Sequence, residues 1–180
     1  MACPVTLANH TVDCLDSMGG VRTVYFCKYD ALETPTVADG VITALQLKDT
    51  EKFYIFECTK ETCSMTSTRV VNTTSGNNYA TVELSLSLKK MTKESRLWME
   101  NTAKGPVIAI VVDQNDDPSS RSAWFLGFSN PLTASAGSGT TGTAFSDSNE
   151  FTVTFSCSEK QYPYPLSQTA MEYVEDNVHA

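Results

Sequence analysis

Strict alternation of apolar and polar residues is the feature that most constrains the fold of this chain. In residues 151–157 an apolar side chain alternates with Thr or Ser, and residues 79–88 alternate between apolar side chains and Tyr, Thr, Glu or Ser. Successive side chains of a β-strand point to opposite faces of the sheet. The two segments therefore predict strands with one buried face and one solvated face.

Six further segments have strand-like composition, and turn residues separate them. The strongest turn signals are Asp39-Gly40 and the stretches 48–50, 75–78 and 116–120, because Gly, Asn, Asp and Pro favour turn geometry. Eight strands at this spacing predict one all-β domain over residues 1–180, built as a β-sandwich or barrel. The predicted strands are 22–29, 41–48, 52–58, 63–71, 79–88, 106–113, 123–128 and 151–157.

One segment, residues 92–104, predicts a helix instead. It contains good helix formers and no Gly or Pro. Thr92 is suited to cap its first turn, and Gly105-Pro106 would end it. Leu97 and Trp98, with Met91, are predicted to cover the sheet. The expected fold is an all-β domain with a single flanking helix.

Two stretches are predicted to lie outside the regular framework. Residues 130–149 are rich in Gly, Ser, Thr and Ala and predict a long loop that becomes ordered in an assembly. Residues 162–180 predict an extended tail, because Pro163 and Pro165 favour extended backbone, and its acidic end is compatible with a short helix. We expect this tail to contact a neighbouring subunit.

The location and thiol state of the protein follow from what the sequence lacks. The longest apolar run, residues 107–112, is too short for the roughly 20 residues of a membrane-spanning helix. The N-terminus lacks the basic start and long apolar stretch of a secretory signal. We therefore expect no membrane span, a protein that stays in the compartment where it is made, and six cysteines that are free thiols.

Net charge argues against specific nucleic-acid binding. The chain has 21 acidic and 13 basic residues, for a net charge of −8. Proteins that bind DNA or RNA rely on Lys and Arg to neutralise phosphates. An acidic surface is instead suited to let DNA pass without retaining it.

Candidate catalytic and metal-binding motifs are incomplete. The two histidines, His10 and His179, lie near the termini and in no nucleophile motif. Cys58 and Cys63 form one thiol pair without the further ligands that zinc requires. The acidic stretch 113–117 lacks the Gly and distal Glu of a calcium loop and predicts a solvated turn. We therefore expect no enzyme activity, metal or cofactor.

Two other motifs have structural interpretations. The glycine-rich stretch 137–142 lacks the Lys of a phosphate-binding loop and predicts a flexible loop. The large aromatic side chains fall in core-like patterns, so they are predicted to pack in the interior rather than to stack on bases or sugars. These aromatic residues are Trp98, Trp124, Phe125 and Phe128.

A series of short motifs runs in order along residues 19–166. The first half contains Gly19-Gly20-Val-Arg-Thr-Val-Tyr-Phe, Asp39-Gly40-Val-Ile-Thr-Ala-Leu, Phe53-Tyr-Ile-Phe-Glu and Tyr79-Ala-Thr-Val-Glu-Leu-Ser-Leu. The second half contains Gly105-Pro-Val-Ile-Ala-Ile-Val-Val-Asp, Trp124-Phe-Leu-Gly127, Thr141-Gly-Thr-Ala144 and a final strand before Glu159. In order and spacing the series resembles the major tail tube proteins of phages that infect Bacteroides-type bacteria.

The resemblance implies a structural virion protein made in the bacterial host cytoplasm. Its β-sandwich or barrel, of the phage tail-tube type, would join neighbours edge to edge in a ring, often of six subunits, and the rings would stack into a tube that conducts DNA. Other tail or head–tail connector proteins would be its partners. The predicted contacts between subunits are Cys63, Thr66, Thr68, Asn72, Asn77, Ser138, Thr141, Ser146, Tyr162 and Tyr164.

Three alternatives stay open at the level of sequence. A collar or adaptor ring of a short-tailed phage would use the same fold with a different copy number. A carbohydrate-binding or adhesive β-sandwich would use exposed aromatic residues or a calcium turn. A hydrolase could use a pair of scattered carboxylates. Ring formation separates the ring proteins from the other two classes.

Overall fold

The computed structural model describes residues 8–10, 17–48 and 50–179. In this part of the chain it contains eleven strands, two α-helices and a 3-10 turn at Tyr29–Ala31. The helices are α1 (Lys93–Thr102) and α2 (Gln168–Asp176). The strands are β1 (Val21–Lys28), β2 (Thr36–Ala38), β3 (Val41–Ala44), β4 (Tyr54–Glu57), β5 (Ser64–Asn72), β6 (Asn77–Lys89), β7 (Val107–Asp113), β8 (Ala123–Leu126), β9 (Thr133–Thr140), β10 (Glu150–Glu159) and β11 (Tyr164–Pro165).

The strands form two open antiparallel sheets and a small hairpin. The five-stranded sheet has the order β11-β8-β7-β1-β4, and the four-stranded sheet has the order β5-β6-β10-β9. Strands β2 and β3 pair with each other through the turn at Asp39 and Gly40, whose φ angles are 50° and 78°. The predicted all-β fold is confirmed, and its sheets pack as a sandwich.

The five-stranded sheet is the middle of three layers. One face packs against the four-stranded sheet, and the other packs against α2 and the β2–β3 hairpin. Alternate residues of β7 enter the two cores: Val111 faces the four-stranded sheet and Ile110 faces α2. This double burial explains the uninterrupted apolar run of residues 107–112.

The alternating strands β6 and β10 behave as predicted. They pair in register, with Phe155 opposite Leu84 and Val153 opposite Leu86, and all four side chains are buried. The intervening Thr and Ser residues lie on the opposite face. The four-stranded sheet therefore has one core face and one outer face.

Helix α1 closes one end of the sandwich. Thr92 caps it, accepting a hydrogen bond from the Ser95 amide at 3.1 Å. Trp98 packs on Phe26 and Phe56, with ring centroids 5.8 and 4.9 Å apart. The prediction for Leu97 is wrong, because its side chain is exposed.

The predicted loop over residues 130–149 is wrong, because β9 occupies its first half. This strand pairs with β10, and Ser138 lies opposite Thr152. Small residues are required here by packing: a Cβ atom at Gly139 would lie 2.7 Å from the Phe151 ring. The composition that suggested a flexible glycine-rich loop instead lets a strand fit beneath bulky neighbours.

The segment predicted as a tail, residues 162–180, packs on its own domain, and the short helix expected at its acidic end is present as α2. Strand β11 pairs with β8, and Ser167 then caps α2, accepting from the Ala170 amide at 3.2 Å. Ala170, Met171 and Val174 are buried against the five-stranded sheet. The domain therefore has two helices rather than one, and the second belongs to the core.

The remaining differences from the predicted strands concern their ends. Regular pairing in the segment 41–48 stops after β3, although Leu45 and Leu47 remain buried. Strand β4 is shorter than the predicted 52–58. Cys27, Cys58, Cys63 and Cys157 are free thiols, whereas Cys3 and Cys14 lie outside the described residues. No helix in the described part of the chain is long and apolar enough to cross a membrane.

Candidate assembly surface

The outer face of the four-stranded sheet is covered with hydroxyl groups. The register places Thr66 opposite Glu83, Thr152 opposite Ser87, and Ser138 opposite Thr152, so these side chains share one face. We call this surface the hydroxyl face. It consists of Ser64, Thr66, Thr68, Val70, Tyr79, Thr81, Glu83, Ser85, Ser87, Lys89, Thr133, Ala136, Ser138, Thr140, Glu150, Thr152, Thr154, Ser156 and Ser158.

Hydrogen bonds and one ion pair organise the hydroxyl face. The Ser138 and Thr152 hydroxyls lie 2.7 Å apart across the β9–β10 pair. Lys89 pairs with Glu150, which also accepts from Ser87. The Lys89 ammonium and the Ser87 hydroxyl lower the pKa of the Glu150 carboxyl. Lys89 is the one cation among the residues that define the face, and it is paired with Glu150. The face therefore binds water through its hydroxyl groups and has no unpaired cation that could bind phosphate.

Both edges of the four-stranded sheet are open. No described residue pairs with the outer side of β5 or of β9. One residue beside an edge strand is bonded in each sheet. Leu132, directly before β9, exchanges two hydrogen bonds with Val107 at 2.9 Å, and Phe53, directly before β4, bonds with Asn177 and His179 at 3.0 and 2.8 Å. The other edge strand of the five-stranded sheet, β11, has only two residues. Unprotected edges of β5 and β9 present backbone donors and acceptors to another strand.

The β5–β6 hairpin extends the hydroxyl face at one end. Asn72 and Asn77 are the last pair before the turn, and both are exposed. Arg69 anchors the hairpin, donating to Asn78 at 2.6 Å and to the Lys160 carbonyl at 3.1 Å, and its guanidinium lies 5.7 Å from the Tyr162 ring centroid. The tip thus projects from a fixed base.

The β9–β10 loop, residues 141–149, presents a fully exposed phenylalanine, Phe145. Asp147 holds the loop in shape, accepting from the Thr143 and Ala144 amides at 2.7 Å each. These two amides, with Ala144 the stronger, lower the pKa of the Asp147 carboxyl. Sequence reasoning missed Phe145, although a single aromatic residue in a run of small polar residues was a visible signal.

The structure brings most of the sequence-predicted contact residues to the four-stranded sheet. Thr66, Thr68 and Ser138 lie on the hydroxyl face. The others fall on the hairpin tip, the β9–β10 loop or the chain after β10, and are Asn72, Asn77, Thr141, Ser146, Tyr162 and Tyr164.

Two of the predicted contact residues are not fully exposed. Tyr164 is half-buried in β11, with its ring centroid 5.0 Å from that of Phe128. Cys63 is 5% exposed and packs in the core between the two sheets. A contact between Cys63 and a neighbouring subunit therefore does not fit its position, since its side chain faces the interior.

The acidic stretch 113–117 forms the predicted turn, and Asn115 and Asp117 are exposed, but Asp116 is buried rather than solvated. The Asp116 side chain is 1% exposed and binds Arg22 at 2.8 Å and Arg121 at 3.2 Å. It also accepts from the Ser122 amide at 2.9 Å. The Asp116 carboxylate therefore links β1 to the β7–β8 turn through its two ion pairs. In the described residues, no group of three or more His, Cys, Asp or Glu side chains is placed to hold a metal ion.

The large aromatic residues pack as predicted. Phe125 is buried, and Trp98, Trp124 and Phe128 are partly buried against the two cores. His179 stacks on Tyr54, with ring centroids 5.3 Å apart.

Comparison with known proteins identifies no relative. No family model matches the chain, and no curated protein or solved structure matches it either.

Proposed function

We propose that this protein is a structural subunit that assembles edge to edge into a ring or tube of the phage-tail type. The single observation that carries the proposal is the four-stranded sheet, which combines two open edges with a hydroxyl face free of unpaired cations among its defining residues. Joining β9 of one copy to β5 of the next satisfies both edges. Such a head-to-tail contact closes into a ring when its rotation permits.

The dimensions of such a ring are compatible with a DNA channel. Six copies of a four-stranded sheet would give about 24 strands, and a spacing of about 4.8 Å gives a circumference of roughly 115 Å. The backbone diameter is then about 37 Å, which leaves a clear width of roughly 25 Å after about 5 Å of side chain on each side. Strand tilt widens the barrel further.

The chemistry of the hydroxyl face suits the inner wall of that channel. Ser and Thr hold a water layer, and the carboxylate of Glu83 repels phosphate. Lys89 is neutralised by Glu150. DNA would therefore pass without being retained. The five-stranded sheet and α2 would form the outer layer of the ring wall.

The proposal is tested by the assembly state of the purified full chain. Light scattering and negative-stain electron microscopy from dilute to concentrated solution should show rings or stacked rings. A three-dimensional reconstruction should then place Thr152 and Thr154 on the inner wall. A monomer at every concentration, or a ring whose inner wall is formed by another surface, would contradict the proposal.

Proline substitutions on β5 separate the edge contact from folding. Successive residues of a strand direct their amides to opposite sides, so one of Thr66 and Ser67 presents its N–H at the open edge. We expect one of Thr66→Pro and Ser67→Pro to keep the fold, as judged by its melting curve, yet fail to assemble. Glu33→Gln, an exposed change on the α2 side of the molecule, is the control that should assemble normally.

A further inference from the structure

Phe145 is the most exposed large apolar side chain among the described residues, and none of them covers it. Hydrogen bonds hold the loop that presents it. The Asp147 amide donates to the Ala144 carbonyl at 3.0 Å. Where the loop ends, the Lys90 amide donates to the Asn149 carbonyl at 2.7 Å. Because these bonds already fix the loop, its docking on a partner would lose little conformational entropy.

A cavity of about 260 Å³ lies at the other end of β10. It is bounded by the chain that follows β8 and by the segment that leads from β10 into β11. Aromatic rings form much of its wall. Phe128 and Tyr164 meet edge to face with ring centroids 5.0 Å apart, and Tyr162 is half exposed beside them. A cavity of about 150 Å³ can hold benzene, so this one has room for a phenyl ring.

One carboxylate oxygen of the cavity wall lacks a partner among the described residues. Glu159 is 5% exposed and lines the cavity. Its Oε2 atom accepts from the Ser129 amide at 3.0 Å, whereas its Oε1 atom accepts no hydrogen bond from the described part of the chain. A buried acceptor without a donor is costly, so a suitable occupant brings a donor. Ser146, the residue after Phe145, has an exposed hydroxyl group.

The charges around the cavity and on the Phe145 loop are opposite. Lys160 is exposed at the cavity, and the Arg69 guanidinium lies 5.7 Å from the Tyr162 ring centroid. Neither cation forms an ion pair with a described residue. The only charged residue of the loop 141–149 is Asp147. Attraction between these charges would favour the approach of the loop to the cavity.

The loop and the cavity lie at opposite ends of one strand. Strand β10 begins at Glu150, directly after the loop, and ends at Glu159, in the cavity wall. Its ten residues span roughly 30 Å. A second copy shifted along the strand direction would bring its Phe145 to the cavity of the first copy. Each copy would keep a free loop at one end and a free cavity at the other, so the contact can repeat in a stack.

We propose that Phe145 of one copy inserts into the aromatic cavity of a second copy and that this contact stacks one ring on the next. The inference rests on the proposed ring assembly and adds the contact between rings. Aromatic side chains pack well against one another, so the rings of Phe128, Tyr162 and Tyr164 suit a phenyl group. The open edges of β5 and β9 join neighbours side by side, whereas Phe145 acts at the strand ends. The two contacts therefore use different surfaces.

Photo-crosslinking of the full chain tests where the side chain at position 145 binds. Phe145 is replaced by the photoreactive p-benzoylphenylalanine, and isotope-labelled and unlabelled chains are mixed before irradiation. We expect links from position 145 to residues 159–164 in peptide pairs that combine one labelled and one unlabelled chain. The same photoreactive residue in place of Ile55, an exposed residue of β4, is the control and should give no link to this segment. Links only within one copy, or only to another surface, would overturn the proposal.

Phe145→Ser separates stacking from ring formation. Its melting curve should match that of the unmodified chain, because the side chain is fully exposed in the single copy. Electron microscopy should show single rings, and the protein concentration at which stacks appear should rise at least about tenfold. Ile55→Thr removes an exposed apolar side chain from β4 and should still give stacks.

The outcomes distinguish this inference from the ring proposal. Stacks that form equally well with Phe145→Ser, or an unmodified chain whose rings never stack, would overturn the inference and leave the ring proposal standing. An unmodified chain that forms no ring would contradict the ring proposal. The photo-crosslink from position 145 would then decide whether Phe145 still binds the cavity of another copy.

Discussion

The two sheets of this protein are made from different kinds of strand. The five-stranded sheet is buried on both faces, so its central strand β7 is apolar at every position from 107 to 112. The four-stranded sheet is buried on one face, so β6 and β10 alternate between apolar and hydroxyl side chains. A continuous apolar run therefore indicates a strand covered on both faces, and alternation indicates a strand covered on one face.

The comparison shows where a functional surface can exist. The middle layer has no face left for a partner, because both of its faces supply core. The four-stranded sheet keeps one face and two edges for contact with other molecules. The proposed assembly uses all three of these features, and the following predictions test whether the division between the sheets holds.

The largest effect is expected on the inner face of β10. Phe155 is fully buried between the sheets and lies 5.6 Å from the Phe26 ring centroid. Phe155→Ala should lower the free energy of unfolding by about 3–5 kcal/mol, because it leaves a cavity. Its sequence neighbour Thr154 faces outward, and Thr154→Ser should cost less than about 1 kcal/mol. Urea denaturation measures the free energy of unfolding of both variants. Equal decreases in the two variants would contradict the assignment of Phe155 to the buried face and Thr154 to the outer face.

A somewhat smaller effect should separate the two helices. Met171 of α2 is fully buried against the five-stranded sheet, and Leu97 of α1 is 38% exposed. Met171→Ala should cost about 2–4 kcal/mol, and Leu97→Ala should cost less than about 1 kcal/mol. A neutral Met171→Ala variant in the same denaturation experiment would mean that α2 is not part of the core.

The smallest effect concerns the ion pair on the hydroxyl face. The pKa of Glu150 is lowered in the folded state, so its contribution to stability is present above the unfolded-state pKa and is lost as pH falls through the lowered value. Glu150→Gln should reduce Tm by at most about 3 °C near neutral pH, because the pair is at the surface. The difference from the unmodified chain should shrink as the pH falls below about 4.

Glu83→Gln is the matched control for this pH dependence. Glu83 lies on the same face, and no described basic side chain forms an ion pair with it. The change in Tm caused by Glu83→Gln should be small and should be the same at every pH. If the Glu150→Gln difference also stayed constant with pH, the Lys89–Glu150 pair would not be the cause of the shift.

Strands with one buried face could be predicted from the sequence. Strand β9, which is exposed on both faces at nearly every position, could not. Strands β6 and β10 have the alternation that burial of one face requires. Strand β9 is built from Thr, Ala, Ser and Gly and is exposed at nearly every position, so no hydrophobic period marks it. It is held by backbone pairing to β10 and by the close approach of Phe151 to Gly139. Neither contact is visible in the local sequence.

The placement of the C-terminal segment and of the predicted contact residues also depends on tertiary contacts. Prolines 163 and 165 suggested an extended tail, yet α2 contributes three buried side chains because the far face of the five-stranded sheet needs a cover. The predicted contact residues Thr66, Thr68 and Ser138 share the hydroxyl face, which follows from the register of the strands. Cys63 turns inward instead, because the crossover places it between the sheets.

The amino-acid sequence by itself determined the secondary-structure class, the alternation of β6 and β10, the capped helix α1 and the acidic balance of the chain. These properties depend on neighbouring residues or on totals. Only the tertiary structure decided that β9 is a strand, that α2 belongs to the core, that Asp116 is buried between two arginines, and that Cys63 faces the interior. Each of these depends on contacts between segments that pairing of the strands and packing of the layers bring together.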